Sequence, residues 1–146
     1  MGLLQKLFGS KPRKTVEDDR FGVLFLLRGN GSNSVWSGKW DIGEDSLEFF
    51  VGGSDQAPSE EAIHGLEKIV SERVFLEQSK AAVIELLRNA AEGYEPEQFE
   101  TDMALAAINV KGPGTFTISY VQRKEPGYHF TAEFVGGESV GVSIDS

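Results

Sequence analysis

Residues 58–93 read PSEEAIHGLEKIVSERVFLEQSKAAVIELLRNAAEG, the one long helical stretch in a chain whose other segments read as strands and turns. Ala62, Ile63, Leu66, Ile69 and Val70 recur at three- and four-residue steps, which puts an apolar stripe on one side of a helix. That stripe needs a cover. Pro58 and Ser59 supply a start, with Ser59 as N-cap and Glu60 and Glu61 in the first turn, where the positive end of the helix dipole favours carboxylates. Gly93 supplies the stop. After the run Val74-Phe75-Leu76, the residues Val83, Ile84, Leu87 and Ala90 continue in a different phase. The spacing therefore predicts two helices, 59–72 and 79–92, joined by a bend, with one bent helix as the alternative.

On the N-terminal side, Phe21 to Arg28 is a near-continuous apolar run, which predicts a strand buried on both faces or at the centre of its sheet. Gly29 to Asn33 is a turn, and Ser34 to Ile42 then alternates, with Trp36, Trp40 and Ile42 facing one way and Ser37, Lys39 and Asp41 the other. Ser46 to Val51 returns the chain. On the C-terminal side a Glu-rich connector, Tyr94 to Asp102, leads to strands at Met103 to Val110, Thr115 to Gln122 and Tyr128 to Val135, and a last one through Val140, Val142 and Ile144. Lys111-Gly112-Pro113-Gly114 is a hairpin turn signal, and Thr117, Ser119, Thr131 and Glu133 mark a face that is at least partly wet. The expectation is an α+β fold: an antiparallel, curved sheet of about seven strands, three before and four after two helices, with the helices on one face.

At 146 residues the chain has the size of one domain. It contains no Cys, so disulfides, thiol nucleophiles and thiolate metal sites are excluded. The formal net charge is −9, from 23 acidic and 14 basic residues, which argues against nucleic-acid binding. Lys6, Lys11, Arg13 and Lys14 stand in residues 1–16, leaving ten bases against 23 acids in residues 17–146, the expected domain. Within residues 1–14, Leu3, Leu4, Leu7 and Phe8 sit at helical spacing beside these bases. The segment is expected to be a loosely held tail; a weak membrane foot is the alternative, since it is too short to span a bilayer and lacks the features of a signal peptide.

No phosphate loop, dinucleotide fingerprint, nucleophile elbow or zinc-protease motif occurs. With His64 and His129 as the only histidines, no metal and no cofactor is expected. His129 and Glu133, in phase on one strand face, are a candidate polar site for proton transfer, weighed against two ordinary wet-face residues. Glu92, Glu95, Glu97, Glu100 and Asp102 read as a solvated linker or as an acidic surface for a basic protein. Trp36 and Trp40 share a strand face and read as core under the helices; with Tyr120 and Tyr128 they would otherwise make an aromatic docking surface.

Phe21-Gly22-Val23-Leu24, then Trp36-Ser37-Gly38, a helical middle and Gly114-Thr115-Phe116-Thr117-Ile118-Ser119-Tyr120 resemble a group of uncharacterised bacterial domains, over residues 20–145. The resemblance implies this fold and a bacterial cytoplasmic setting, with some members near toxin and immunity genes, and it implies no catalytic residue. Where that family often carries a Gly-His pair, this chain has Gly127-Tyr128-His129. The functional expectation is a non-enzymatic protein-binding domain, in its narrower form an immunity-type inhibitor with an acidic surface for a basic partner. The alternatives are a small-molecule binder or enzyme with a pocket between sheet and helices, and a peripheral membrane protein held by residues 1–14.

Overall fold

The computed structural model describes residues 14–43, 45–124 and 127–145. In chain order come β1 (Thr15–Asp18), β2 (Gly22–Arg28), a 3-10 turn (Gly31–Asn33), β3 (Ser34–Ile42), β4 (Asp45–Gly53), α1 (Glu60–Glu72), α2 (Val74–Ala90), α3 (Pro96–Asp102), β5 (Met103–Gly112), β6 (Thr115–Gln122), β7 (His129–Val135) and β8 (Glu138–Asp145). The strands form one sheet in the order of the chain. Neighbours are antiparallel except β4 and β5, which run parallel from Glu48↔Ala107 to Val51↔Val110. Parallel neighbours cannot be joined by a tight turn, so the chain must cross over between them, and the helical stretch is that crossover. Two four-stranded meanders are thus joined edge to edge by one βαβ step.

The class is α+β with a mostly antiparallel sheet, as expected, but with eight described strands and three helices. β1 is Thr15-Val16-Glu17-Asp18, too short and too polar for its alternation to stand out; its pairing, Thr15↔Phe25 to Asp18↔Gly22, uses backbone groups that side-chain pattern does not reveal. The sheet therefore begins at Thr15, two residues before the expected domain boundary. The expected tail or membrane foot at residues 1–14 lies outside the described residues except for Lys14, whose carbonyl accepts from the Leu26 N–H at 2.8 Å. α3 forms inside the Glu-rich connector, opened by Pro96 in its first turn and by a capping box in which Gln98 Oε1 accepts from the Glu95 N–H at 2.6 Å. Seven residues are too few to show a periodic stripe; Phe99 is its one buried anchor.

The long helical stretch is two helices. A straight helix over 60–90 would run about 46 Å, against about 30 Å for the nine-residue β4, so it must fold back to stay on the sheet. The fold occurs at Arg73, which takes a left-handed conformation (φ 63°) without being glycine. Ser59 caps α1 as read, accepting from the Ala62 N–H at 3.3 Å. α1 buries Ala62, Ile63, Leu66 and Ile69 against β4 and β5, while α2 packs on β7 and β8. Between helices and sheet, Trp36, Phe49, Leu66, Ile69, Val83, Ile108, Ile118 and Phe134 are fully buried. Burial of each such side chain stabilises the fold by about 1.5–3 kcal/mol.

The β1–β2 turn closes the core at one end. Asp18 Oδ1 accepts from the Arg20 and Phe21 N–H groups at 2.9 and 3.1 Å, which turns Phe21 onto Trp40 (ring centroids 5.0 Å) and Phe49 (5.4 Å). Desolvation pulls the Asp18 carboxyl upward, but these bonds and the Arg20 guanidinium hold it below its ordinary value. Arg20 also donates to Glu67 on α1 at 2.7 Å.

A buried hydroxyl pair locks α2 to β6. Ser79 Oγ lies 2.6 Å from the Tyr120 hydroxyl, and both reach the Leu76 carbonyl, at 2.7 and 3.2 Å. Burial pushes the Tyr120 phenol up to about 12, against the opposing hydrogen bond from Ser79. The folded chain thus holds this proton more tightly than the unfolded chain, whose phenol has a pKa of about 10. The resulting stability is complete below pH ~10 and is lost as pH rises from ~10 to ~12, in total about 2–3 kcal/mol. Urea midpoints measured across that window should fall faster for the wild type than for Tyr120→Phe, which removes the titrating group and costs only about 1 kcal/mol at neutral pH. Parallel curves would show that Tyr120 does not titrate as a buried group.

Candidate functional site

Because side chains alternate along a strand, the register fixes what stands on the face without helices. One row crosses the whole sheet there: Thr15, Phe25, Ser37, Phe50, Asn109, Thr117, Glu133, Gly141. The next carries Glu17 and Val23, the Lys39↔Glu48 pair, Ala107, and then Ser119, Thr131 and Ser143. The two halves differ in chemistry. From β5 to β8 the face is mostly hydroxyls, amides and charges, with Ala107, Val121 and the exposed Val135 among them. From β2 to β4 it is led by Val23, Phe25, Leu27, Val35 and Phe50, with Ser37 and the Lys39↔Glu48 pair among them.

β2 is therefore not buried on both faces. Leu24 lies fully buried on the helix side, whereas Val23 is 56% and Leu27 47% exposed on the other. Phe25, Val35 and Phe50 are half-buried beside them, and the Ser37 hydroxyl between Phe25 and Phe50 is buried with no hydrogen-bond partner among the described residues. The near-continuous run of β2 and the doublet Phe49-Phe50 were the signals: two consecutive apolar residues on a strand must put one on each face.

The expected site residues do not converge. Trp36 is fully buried, with its indole N–H on the Ser54 carbonyl at 2.8 Å, and Trp40 is half-buried against Phe21. Tyr120 is buried on the helix side and Tyr128 is exposed near the start of β7, so no shared aromatic surface forms from the four. His129 and Glu133 do share the uncovered face, but four strand positions separate them by about 13 Å, with Thr131 between. That spacing precludes direct proton transfer. Their cross-strand neighbours are Asp145 and Gly141 on β8.

The acidic segment lies on the helix side. Phe99 of α3 packs edge-on against Tyr120 at 5.0 Å, and Glu100 pairs with Lys80. Glu97 is in the first turn of α3 and Glu95 caps it, while Glu92 is exposed after α2. Asp102, half-buried, acts with desolvation to raise the Tyr94 phenol, desolvation being the larger cause. Glu95, Glu100 and Asp102 therefore have local structural uses, and the sheet separates the segment from the uncovered apolar face.

Compared with protein-family models, with curated proteins and with solved structures, the chain gives no match. The reading of the site accordingly rests on its geometry. Among the described residues, no three His, Asp or Glu side chains come together as a metal-binding group, and no helix is long and apolar enough to cross a membrane.

Proposed function

We propose that this chain is a non-enzymatic protein-binding domain whose contact surface is centred on the uncovered face of β2 to β4. The observation that carries the reading is the apolar half of that face, where Val23 and Leu27 stand about half exposed on a strand whose other side is already core. An exposed apolar patch rimmed by charge is the usual mark of a protein contact. Here the rim is mixed: it is acidic beside β1, where Glu17 pairs with Val23, and along β3 and β4, where Asp41 and the Glu48 opposite Lys39 stand, whereas Arg28 and Lys111 flank the far end. The partner that fits is a protein with an apolar centre and basic groups facing the acidic end of that rim. In the narrower form this is an immunity-type inhibitor, presenting carboxylates where a basic target holds its anionic substrate. The bacterial setting is supported only by the resemblance of the strand motifs.

Affinity capture from a bacterial lysate, at low and high salt, tests this with Val23→Glu/Leu27→Glu beside the wild type. Both substituted positions are exposed, so the variant keeps the fold. A stoichiometric basic protein held by the wild type, weakened by salt and lost from the double variant, is the expected result. A partner retained equally by both proteins, or no partner at either salt, counts against the reading.

A further inference from the structure

On the same face, where β2, β4 and β5 end and β3 begins, a shallow depression of about 940 Å³ opens, walled by the loop from Gly53 to Ser59. Its lining contains Arg28 and Lys111 and no carboxylate, in a chain where acids outnumber bases 23 to 14. Neither cation is neutralised: the ion pairs among the described residues use Arg20, Lys80 and Arg123. The floor between them has little side chain. Arg28 is opposite Val35, Val35 is opposite Gly52, and a Cβ on Gly52 would come within 3.3 Å of the Lys111 carbonyl. At about 4.8 Å per strand the two cationic positions are about 14 Å apart, a span that two long side chains can close from opposite ends onto one bound group. Leu27, Val35 and Phe50 give the depression an apolar bed, and Asn109 a neutral polar group. Of the charges nearby, Asp55 lies in the wall loop but outside the lining, and Lys14 donates to Gln56 of that loop at 2.9 Å.

Two uncompensated cations in a concavity focus a positive potential within an otherwise negative surface. Guanidinium and ammonium groups bind carboxylate and phosphate oxygens through charge-assisted hydrogen bonds. We propose that this depression binds a small amphiphilic anion, a carboxylate or phosphate ester with a compact aromatic or aliphatic body, its charge held by Arg28 and Lys111 and its body on Leu27, Val35 and Phe50. The site goes beyond the protein-binding reading and does not depend on it, since a small ligand can seat there in the absence of any protein partner.

The test is an NMR titration of the full chain with phenyl phosphate and with benzoate. Inorganic phosphate supplies the charge without the body, and benzyl alcohol the body without the charge. At least one of the two aryl anions should shift the amides of Leu27, Val35, Gly52 and Lys111 saturably. Arg28→Gln/Lys111→Gln should weaken that binding roughly tenfold or more, and Arg28→Glu/Lys111→Glu should abolish it. Both residues are exposed, so the variants retain the wild-type melting temperature. Binding of equal strength in the Gln variant, saturable shifts confined to another surface, benzyl alcohol binding as tightly as the anions, or no saturable binding by either aryl anion would each overturn the proposal.

Discussion

Trp36→Ala is expected to lower the stability of the fold by about 3–5 kcal/mol, the range for truncating a large buried aromatic side chain. Trp36 is fully buried between Leu26 on β2 and Val51 on β4, its partners in register. Its removal leaves a cavity that two hydrogen-bonded strands cannot collapse to fill. The indole N–H also holds the Ser54 carbonyl at 2.8 Å, so the substitution releases the loop that walls the depression. Against a total stability of about 5–15 kcal/mol, the loss brings the domain close to unfolding. Trp36→Phe separates the two contributions. It retains most of the apolar contact and gives up the one hydrogen bond, which costs about 1 kcal/mol. The urea midpoint should fall by about 2 M for alanine and by well under 1 M for phenylalanine, taking a slope of about 1–3 kcal/mol per molar. Equal losses would place the hydrogen bond, and not the packing, at the centre of this residue's role.

What the sequence showed and what it concealed divide along physical lines. Periodicity reports burial, so Ala62, Ile63, Leu66 and Ile69 announced α1, and the alternations of Thr115 to Gln122 and Tyr128 to Val135 announced β6 and β7. It does not report backbone pairing, so the polar β1 passed for a tail. The parallel step between β4 and β5 was likewise invisible, because register belongs to the backbone of two strands separated by 49 residues, from Gly53 to Met103. The phase change between Ile69 and Leu76 signalled the break and put the end of the first helix at residue 72, where it lies, but the second helix, expected from residue 79, already starts at Val74. A left-handed arginine that lets it restart at once is chosen by the packing of both helices and not by local preference.

The site was legible only in part, and for a related reason. A continuous apolar run fits a strand covered on both sides as well as a strand covered on one side and waiting for a partner on the other. The sequence of β2 is compatible with both; the number of faces that helices cover decides between them. The acidic run at 92–102 was visible, but its local uses were not, because the Glu100 pair with Lys80 and the Glu95 cap depend on α3 existing. Arg28 and Lys111 had no pattern to reveal them, since 82 residues separate two cations that the sheet brings to one rim.

Gly38→Val is expected to cost about 3 kcal/mol or more, at the upper end for forcing atoms into a packed core. Gly38 stands opposite Phe49 in the β3–β4 register, and the Phe49 ring folds across the strand onto it. A Cβ at Gly38 would meet Phe49 Cζ at 2.4 Å and two further ring carbons at 3.0 Å, well inside contact distance. The ring has no free direction in which to yield, because it is fully buried and Phe21 packs on it at 5.4 Å. Gly38 is thus required for the absence of its side chain and not for its backbone freedom, which gives Trp36-Ser37-Gly38 a physical meaning: a large and an empty position on the core face of one strand, with Ser37 turned to the other. Gly38→Ala should also destabilise, by about 1–3 kcal/mol, and a smaller opposite residue should relieve it. In a double-mutant cycle, Gly38→Ala with Phe49→Leu should cost less than the sum of the two single changes. Additive losses would mean that the ring does not rest on Gly38, and the packing of β3 against β4 would then need a different account.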